Sequence, residues 1–227
     1  MSIAENLAAE NLADVHARIA EAARAAGRDP QAIELVAVSK VQPPERVEAA
    51  LAAGHRRFGE NRVQEADARW QPLKPRHDDL VLHLIGPLQT NKVKPALALF
   101  DVIESLDRPK LARAIARDLQ QVPRPPELLV QVNTGAEPQK AGVLPAALDD
   151  LLALCRDELG LAVAGLMCIP PLEENPALHF AFLAEQAARL ALPVVSMGMS
   201  GDYETAIRHG ATRVRVGTAI FGERDQG

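Results

Sequence analysis

A chain of 227 residues, 48% hydrophobic and 24% charged, can bury a sizeable core and is too apolar to stay disordered. Its net charge of -5 and the scatter of its basic residues exclude the footprint of a nucleic-acid or anionic-lipid binder, so a small molecule is the expected partner. The first residues show no basic, apolar leader, and no apolar run approaches the roughly 20 residues that span a bilayer, so a cytoplasmic protein is expected.

From the N-terminus, Ser2 and Glu5 have the spacing of a capping box, Ile3, Leu7, Val15, Ile19 and Ala22 form one stripe, and Gly27 supplies a stop. This reads as an amphipathic helix, expected to lie as a lid across one end of the fold. Short apolar runs then alternate with helical patterns. Strands are predicted at Glu34 to Ser39, Arg56 to Gly59, Leu80 to Ile85, Val102 to Ser105, Leu128 to Asn133, Val163 to Cys168, Pro193 to Met197 and Arg213 to Val216. Four intervening helices open with proline: Pro44 to Ala53, Pro109 to Gln121, Pro145 to Leu159 and Pro176 to Leu190. Further helices fit Glu60 to Trp70, Gln89 to Leu99 and Asp202 to His209, the middle one requiring Pro95 in its first turn. Gly54 and Gly210 mark C-terminal stops.

Eight strands with intervening helices allow a closed barrel or an open doubly wound sheet. The first strand runs into Val38-Ser39-Lys40-Val41-Gln42-Pro43-Pro44, which lacks the Gly-rich dinucleotide fingerprint, so an α/β fold of the (β/α)8 TIM-barrel type with an extra N-terminal helix is predicted. No repeat or Gly/Ser linker divides the chain, and one domain over residues 1–227 is expected.

Side chains alternate along a strand, so Val36, Val38 and Lys40 share a face. If the valines fill the barrel, Lys40 emerges at the C-terminal mouth, where barrel sites are built, and its amine can form a Schiff base with an aldehyde. The alternative is a lysine leaving the strand into solvent. At the other end, Ser196-Met197-Gly198-Met199-Ser200-Gly201 precedes a helix and Val216-Gly217-Thr218 follows the last strand. Loops after strands seven and eight of barrels often bind phosphate with amides and small hydroxyls, which Ser200, Gly201, Gly217 and Thr218 supply; Asp202 there can instead cap its own helix.

Arg215 alternates with Val214 and Val216; if it faces inward it lies beneath the mouth, where its charge disfavours protonation of a heteroaromatic ring nitrogen. Arg213 shares that face and needs a carboxylate partner that the sequence does not identify. After the second strand, Asn61 is a candidate donor to a ring edge and Glu60 a carboxylate at a helix N-terminus. His83 reads as a satisfied core histidine or a base, and Gly86-Pro87-Leu88-Gln89-Thr90-Asn91-Lys92 as a polar loop at the same mouth. Cys155 and Cys168 lack metal-ligand spacing and are expected to be reduced and buried, and no metal site is predicted.

These segments, with His83-Leu84-Ile85 leading into the polar loop, Gly165-Leu166-Met167 and the run from Val214 to Gly222, together resemble the pyridoxal phosphate homeostasis protein family, related to the barrel domain of bacterial alanine racemase. The resemblance implies pyridoxal 5′-phosphate as cofactor, Lys40 as the Schiff-base lysine, Asn61 near the ring, Arg215 facing the pyridine nitrogen, and Ser200, Gly217 and Thr218 on the phosphate. Three positions depart from the family pattern: Gln42 where a second lysine is frequent, Gly201 where an acidic residue is common, and Arg213 where an apolar one is.

The function implied is a carrier or buffer of the cofactor in vitamin B6 homeostasis, without catalytic residues; the alternative is a small racemase or lyase acting on amino acids. Alanine racemase completes its site with a tyrosine from a C-terminal β-domain, whereas here the chain runs to Gly227 and its one tyrosine, Tyr203, would have to reach over the ring. A monomer is expected, without nucleic acid or membrane contact, with apoenzymes that depend on the cofactor as candidate partners.

Overall fold

The computed structural model describes residues 3–222, with side chains from Leu7, so the predicted capping box of Ser2 and Glu5 and the Ile3 end of the stripe lie outside the described residues. Eight strands, β1 (Glu34–Val38), β2 (Arg57–Glu60), β3 (Val81–Leu84), β4 (Val102–Leu106), β5 (Glu127–Val132), β6 (Val163–Cys168), β7 (Val194–Ser196) and β8 (Arg213–Val216), pair in parallel in chain order. β8 returns to β1 and closes the barrel, with Val36 beside Arg215 and Glu34 beside Arg213. Each predicted strand is present within two residues at either end.

The helical layer begins with α1 (Ile3–Ala25), followed by α2 (Pro44–Ala52), α3 (Val63–Trp70), α4 (Val93–Leu99), α5 (Pro109–Leu119), α6 (Leu148–Ala153), α7 (Pro176–Arg189), α8 (Tyr203–Arg208) and α9 (Thr218–Phe221). Proline stands at the start of α2, α5 and α7, where its missing N–H has no intrahelical acceptor. Asn175 adds a side-chain cap to α7 by accepting from the Ala177 amide. Pro95 falls in the first turn of α4, after a tight turn at Thr90–Lys92, and so does not break it. Gly27, Gly54 and Gly210 take positive φ at the predicted stops.

The first helix is not a lid. α1 packs against α2, α8 and α9, filling the outer layer at the seam between β8 and β1, with Leu12, Val15, Ile19 and Ala22 in the main core. An amphipathic stripe specifies that one face is buried, not what buries it.

The strands divide their side chains between two environments. Leu35, Ala37, Phe58, Leu82, Ile103 and Val214 face the helices and join the main apolar core. The interior carries a small apolar cluster of Val102, Leu129 and Met167 and, beside it, a polar set of His83, Glu104, Ser196, Arg213 and Arg215, all buried.

Candidate functional site

At the C-terminal mouth lies a cavity of about 520 Å³ that brings together all six predicted site residues, Lys40, Asn61, Ser200, Arg215, Gly217 and Thr218. Val38 lines it below Lys40, as strand alternation requires. Val41, at φ 59°, turns the chain out of the strand and leaves its own side chain exposed. That conformation costs a β-branched residue about 1 to 3 kcal/mol, so surrounding contacts must hold the loop. They are at hand: Arg69 donates to the Ser39 and Gln42 carbonyls at 3.0 and 2.8 Å. Ser39 Oγ donates to Glu60 Oε1 at 2.7 Å, and Trp70 Nε1 donates to the same oxygen at 3.0 Å.

Glu60 therefore does not sit at a helix N-terminus. It ends β2, with α3 starting at Val63, and its carboxylate is a buried brace whose pKa burial raises. Asn61 follows it into the cavity. Gly86 crosses Asn61 so closely that a Cβ there would stand 2.3 Å from the Asn61 carbonyl oxygen, which demands glycine. Of the predicted polar loop only Gly86 and Pro87 reach this cavity; Gln89 and Lys92 line a neighbouring cleft with Arg62 and Arg108.

The opposite wall is built from the loops after β7 and β8. Gly198 has φ 92°, and a Cβ there would meet Ala206 Cβ at 2.6 Å and Tyr203 Cα at 2.9 Å, so the turn can pass only as glycine. It delivers Ser200, whose Oγ accepts from the Gly217 and Ala219 amides at 3.2 and 3.3 Å. Two amides and a hydroxyl thus converge where α9 begins, a set of donors suited to an anion. Asp202 does not cap α8 with its side chain; its Oδ1 accepts from the Met199 amide at 2.6 Å and tightens the loop.

Beneath the cavity Arg215 faces inward. Its Nη1 donates to Ser196 Oγ at 2.7 Å and its Nη2 to the Cys168 carbonyl at 2.8 Å. Ser196 Oγ donates to Glu104 Oε2 at 2.5 Å, and Glu104 Oε1 lies 2.8 Å from His83 Nδ1. Burial pushes the Glu104 carboxyl up, but the His83 hydrogen bond and the Arg215 and Arg213 charges more than offset it and hold the pKa at about 2. His83 is thus a core histidine with one partner and a buried Nε2 without one. Arg213 finds its carboxylates in Glu34 at 2.6 Å, Glu127 at 2.9 Å and Glu104 at 3.6 Å. Cys168 and Cys155 are buried, and burial raises their thiols to about 12 and 11, so both stay protonated.

Sequence reasoning named Gln42 only as a departure from the family pattern and missed Gln131, Ile169 and Lys140. Gln42 is buried with its Oε1 unpartnered, and Gln131, Ile169 and Lys140 complete the wall; Lys140 Nζ sits 2.6 Å from Glu137. It missed Glu104 too, although a lone acid alternating with Val102 on an inward face was a usable signal. Tyr203 is not in the cavity: it is buried in α8, with the Arg18 guanidinium 5.6 Å from its ring centre. Among the described residues no cluster of three His, Cys, Asp or Glu could hold a metal, and no helix is long and apolar enough to cross a membrane.

Residues 11–225 match the family described as alanine racemase, N-terminal domain. The pyridoxal phosphate homeostasis protein of Pseudomonas aeruginosa is 44% identical over 226 residues, covering 96% of each chain. That of Aquifex aeolicus is 42% identical, covering 96% of this chain and 98% of its own. The structure of PipY from Synechococcus elongatus with pyridoxal phosphate bound superposes with a TM-score of 0.81 at 37% identity, covering 95% of this chain and all of that one. Alanine racemase of Corynebacterium glutamicum shares the fold at 17% identity and a TM-score of 0.67, and the match spans 61% of its length.

Proposed function

This chain belongs to the alanine racemase N-terminal domain family and, within it, to the pyridoxal phosphate homeostasis proteins, and from that premise we propose that it carries or buffers pyridoxal 5′-phosphate as a Schiff base on Lys40. The observation that carries the reading is the convergence, in one cavity, of an amine, a buried guanidinium and a cluster of anion-binding donors. The residues fit the group. The cofactor's aldehyde condenses with the Lys40 amine and releases one water; hydrolysis reverses the step and frees the cofactor for delivery.

In this reading Ser200, Gly217 and Thr218 hold the phosphate, with the Ser200 hydroxyl exchanging its two amide donors for the anion's oxygens. Asn61 bonds the ring edge, and Arg215 faces the pyridine nitrogen. Bound cofactor supplies an electron sink, which is strong only when that nitrogen is protonated. A permanently charged arginine opposite the nitrogen keeps it unprotonated, and this favours a carrier over a catalyst. Tyr203 lies in α8 outside the cavity, which further disfavours the racemase or lyase reading. The protein is proposed to work as a cytoplasmic monomer whose recipients are apoenzymes that require the cofactor.

The second reading keeps one observation, a second amine, Lys140, in the cavity wall, although it is ion-paired with Glu137 at 2.6 Å. Incubation of the holoprotein with L-alanine, L-serine and L-glutamate in deuterated water separates the two. The carrier reading expects Cα exchange no faster than with free cofactor. Protein-dependent exchange that is lost in Lys40→Ala would overturn it.

A further inference from the structure

The floor beneath the cavity is costlier than a carrier's barrel requires. Glu104, Arg213 and Arg215 are buried inside the barrel, and Arg213 ties them to a partly exposed rim of Glu34, Glu127 and Arg57 at the lower end. A buried ionic triad such as Glu104, Arg213 and Arg215 is often no more stable than apolar side chains of the same volume, so its retention asks for another reason. Arg213, Arg57, Glu34 and Glu127 satisfy one another at the lower end. The upper end is different, because there the charges stop at the cavity.

Arg215 lines the cavity while being only 3% exposed, and no carboxylate touches it within hydrogen-bonding distance. Its contact with Glu104 runs through Ser196. The Ser196 hydroxyl has a single proton; since it accepts from Arg215 Nη1 at 2.7 Å, that proton goes to Glu104 Oε2 at 2.5 Å. The direction of the chain is thereby settled: guanidinium to hydroxyl to carboxylate. The carboxylate is held ionised and oriented by His83 at 2.8 Å and Arg213 at 3.6 Å. The Cys168 carbonyl takes the second terminal nitrogen of Arg215. A guanidinium has five N–H groups, and with two of them tied down its plane is set, leaving the remainder to face other partners.

We propose that Ser196 and Glu104 are positioning residues: they fix the plane of Arg215 so that its free N–H groups meet the cofactor's ring nitrogen, and thereby set that nitrogen's electronic state. The proposal rests on the reading that this cavity takes pyridoxal phosphate. Neither residue touches the cofactor, and both act only through Arg215. Without the Ser196 link the guanidinium keeps one anchor, the Cys168 carbonyl, and can rotate away from the ring.

The test uses the full-length holoprotein loaded with pyridoxal phosphate labelled with ¹⁵N in the ring, in wild type, Ser196→Ala, Arg215→Ala and the double variant. Each is followed by the ring ¹⁵N resonance and by the rate of cofactor transfer to an excess of an apoenzyme. Ser196→Ala should melt cooperatively and still give a borohydride-fixed adduct at Lys40. Its ring resonance should move to the position seen in Arg215→Ala, and its cofactor should leave about tenfold faster, the loss expected for one hydrogen bond to a charged group. The double variant should add nothing to Arg215→Ala.

Glu104→Gln tests the next link and should shift the resonance the same way; should it not fold, Ser196→Ala carries the test alone. A folded Ser196→Ala with wild-type resonance and release rate, or effects that simply add in the double variant, would overturn the positioning role. Wild-type protein that takes up no cofactor at all would instead overturn the carrier reading beneath it.

Discussion

Replacing Glu104 by glutamine should be among the most damaging isosteric changes available in this barrel. The carboxylate is fully buried, accepts hydrogen bonds from Ser196 and His83, and faces Arg213 and Arg215 at 3.6 and 3.9 Å. Glutamine keeps the shape but removes the charge and places an N–H₂ against donors. Arg213 retains Glu34 and Glu127, but Arg215 is left as a buried cation with only neutral acceptors. Breaking a buried pair in this way costs about 3 to 5 kcal/mol. The same contacts depress the carboxyl to about 2 from its ordinary 4.5, which agrees in sign with that loss. For a chain of this length the expected loss in Tm at pH 7 is about 10 °C.

The pH dependence supplies a second check. Because the folded carboxyl is depressed, its contribution is present above about pH 4.5 and is lost as pH falls through about 2, so the gap between wild type and Glu104→Gln should narrow over that range. Adding Arg215→Met should recover part of the loss, since it removes the orphaned charge. Urea melts of the three proteins at pH 7 and pH 3.5 would measure this. A loss under about 1 kcal/mol at pH 7, or a gap that does not narrow in acid, would refute the reasoning.

Ser200→Ala combined with Thr218→Ala should weaken pyridoxal phosphate at least about tenfold while leaving pyridoxal nearly unaffected, read by equilibrium titration of the apoprotein; equal losses for the two ligands would place the phosphate elsewhere. His55 is buried between α2 and β2 and desolvation lowers its pKa to about 4, so it stays neutral when folded and takes a proton when unfolded below its ordinary 6.5. Stability should therefore fall by up to roughly 2 kcal/mol between pH 7 and pH 5, and His55→Gln should flatten that slope in denaturant melts at the two pH values; an unchanged slope would count against it.

Much of the architecture was legible because parallel strands buried on both faces read as apolar runs, and prolines and glycines punctuate the helices between them. Alternation from Val36 to Lys40 and from Arg213 to Arg215 told which side chains share a face, and left open whether that face was the inward one. It could not name their partners. Arg213 draws on Glu34 and Glu127, 179 and 86 residues away, and only barrel closure brings these side chains together. α9 escaped notice because four residues are too few to show a helical repeat. The placement of α1 was misjudged because its stripe is as compatible with an end cap as with a place in the ring. Gln42 and Lys140 stand on loops, where side-chain direction follows from turn geometry that no periodicity reports.

The central claim is that Lys40 bears the cofactor. Purified protein mixed with pyridoxal phosphate should develop a visible absorbance band that borohydride bleaches as hydride adds to the imine carbon. Mass spectrometry of the digest should then find the pyridoxyl phosphate on the peptide holding Lys40, and neither band nor adduct should form in Lys40→Ala. A stoichiometric adduct on another lysine, or a band that survives Lys40→Ala, would contradict the account.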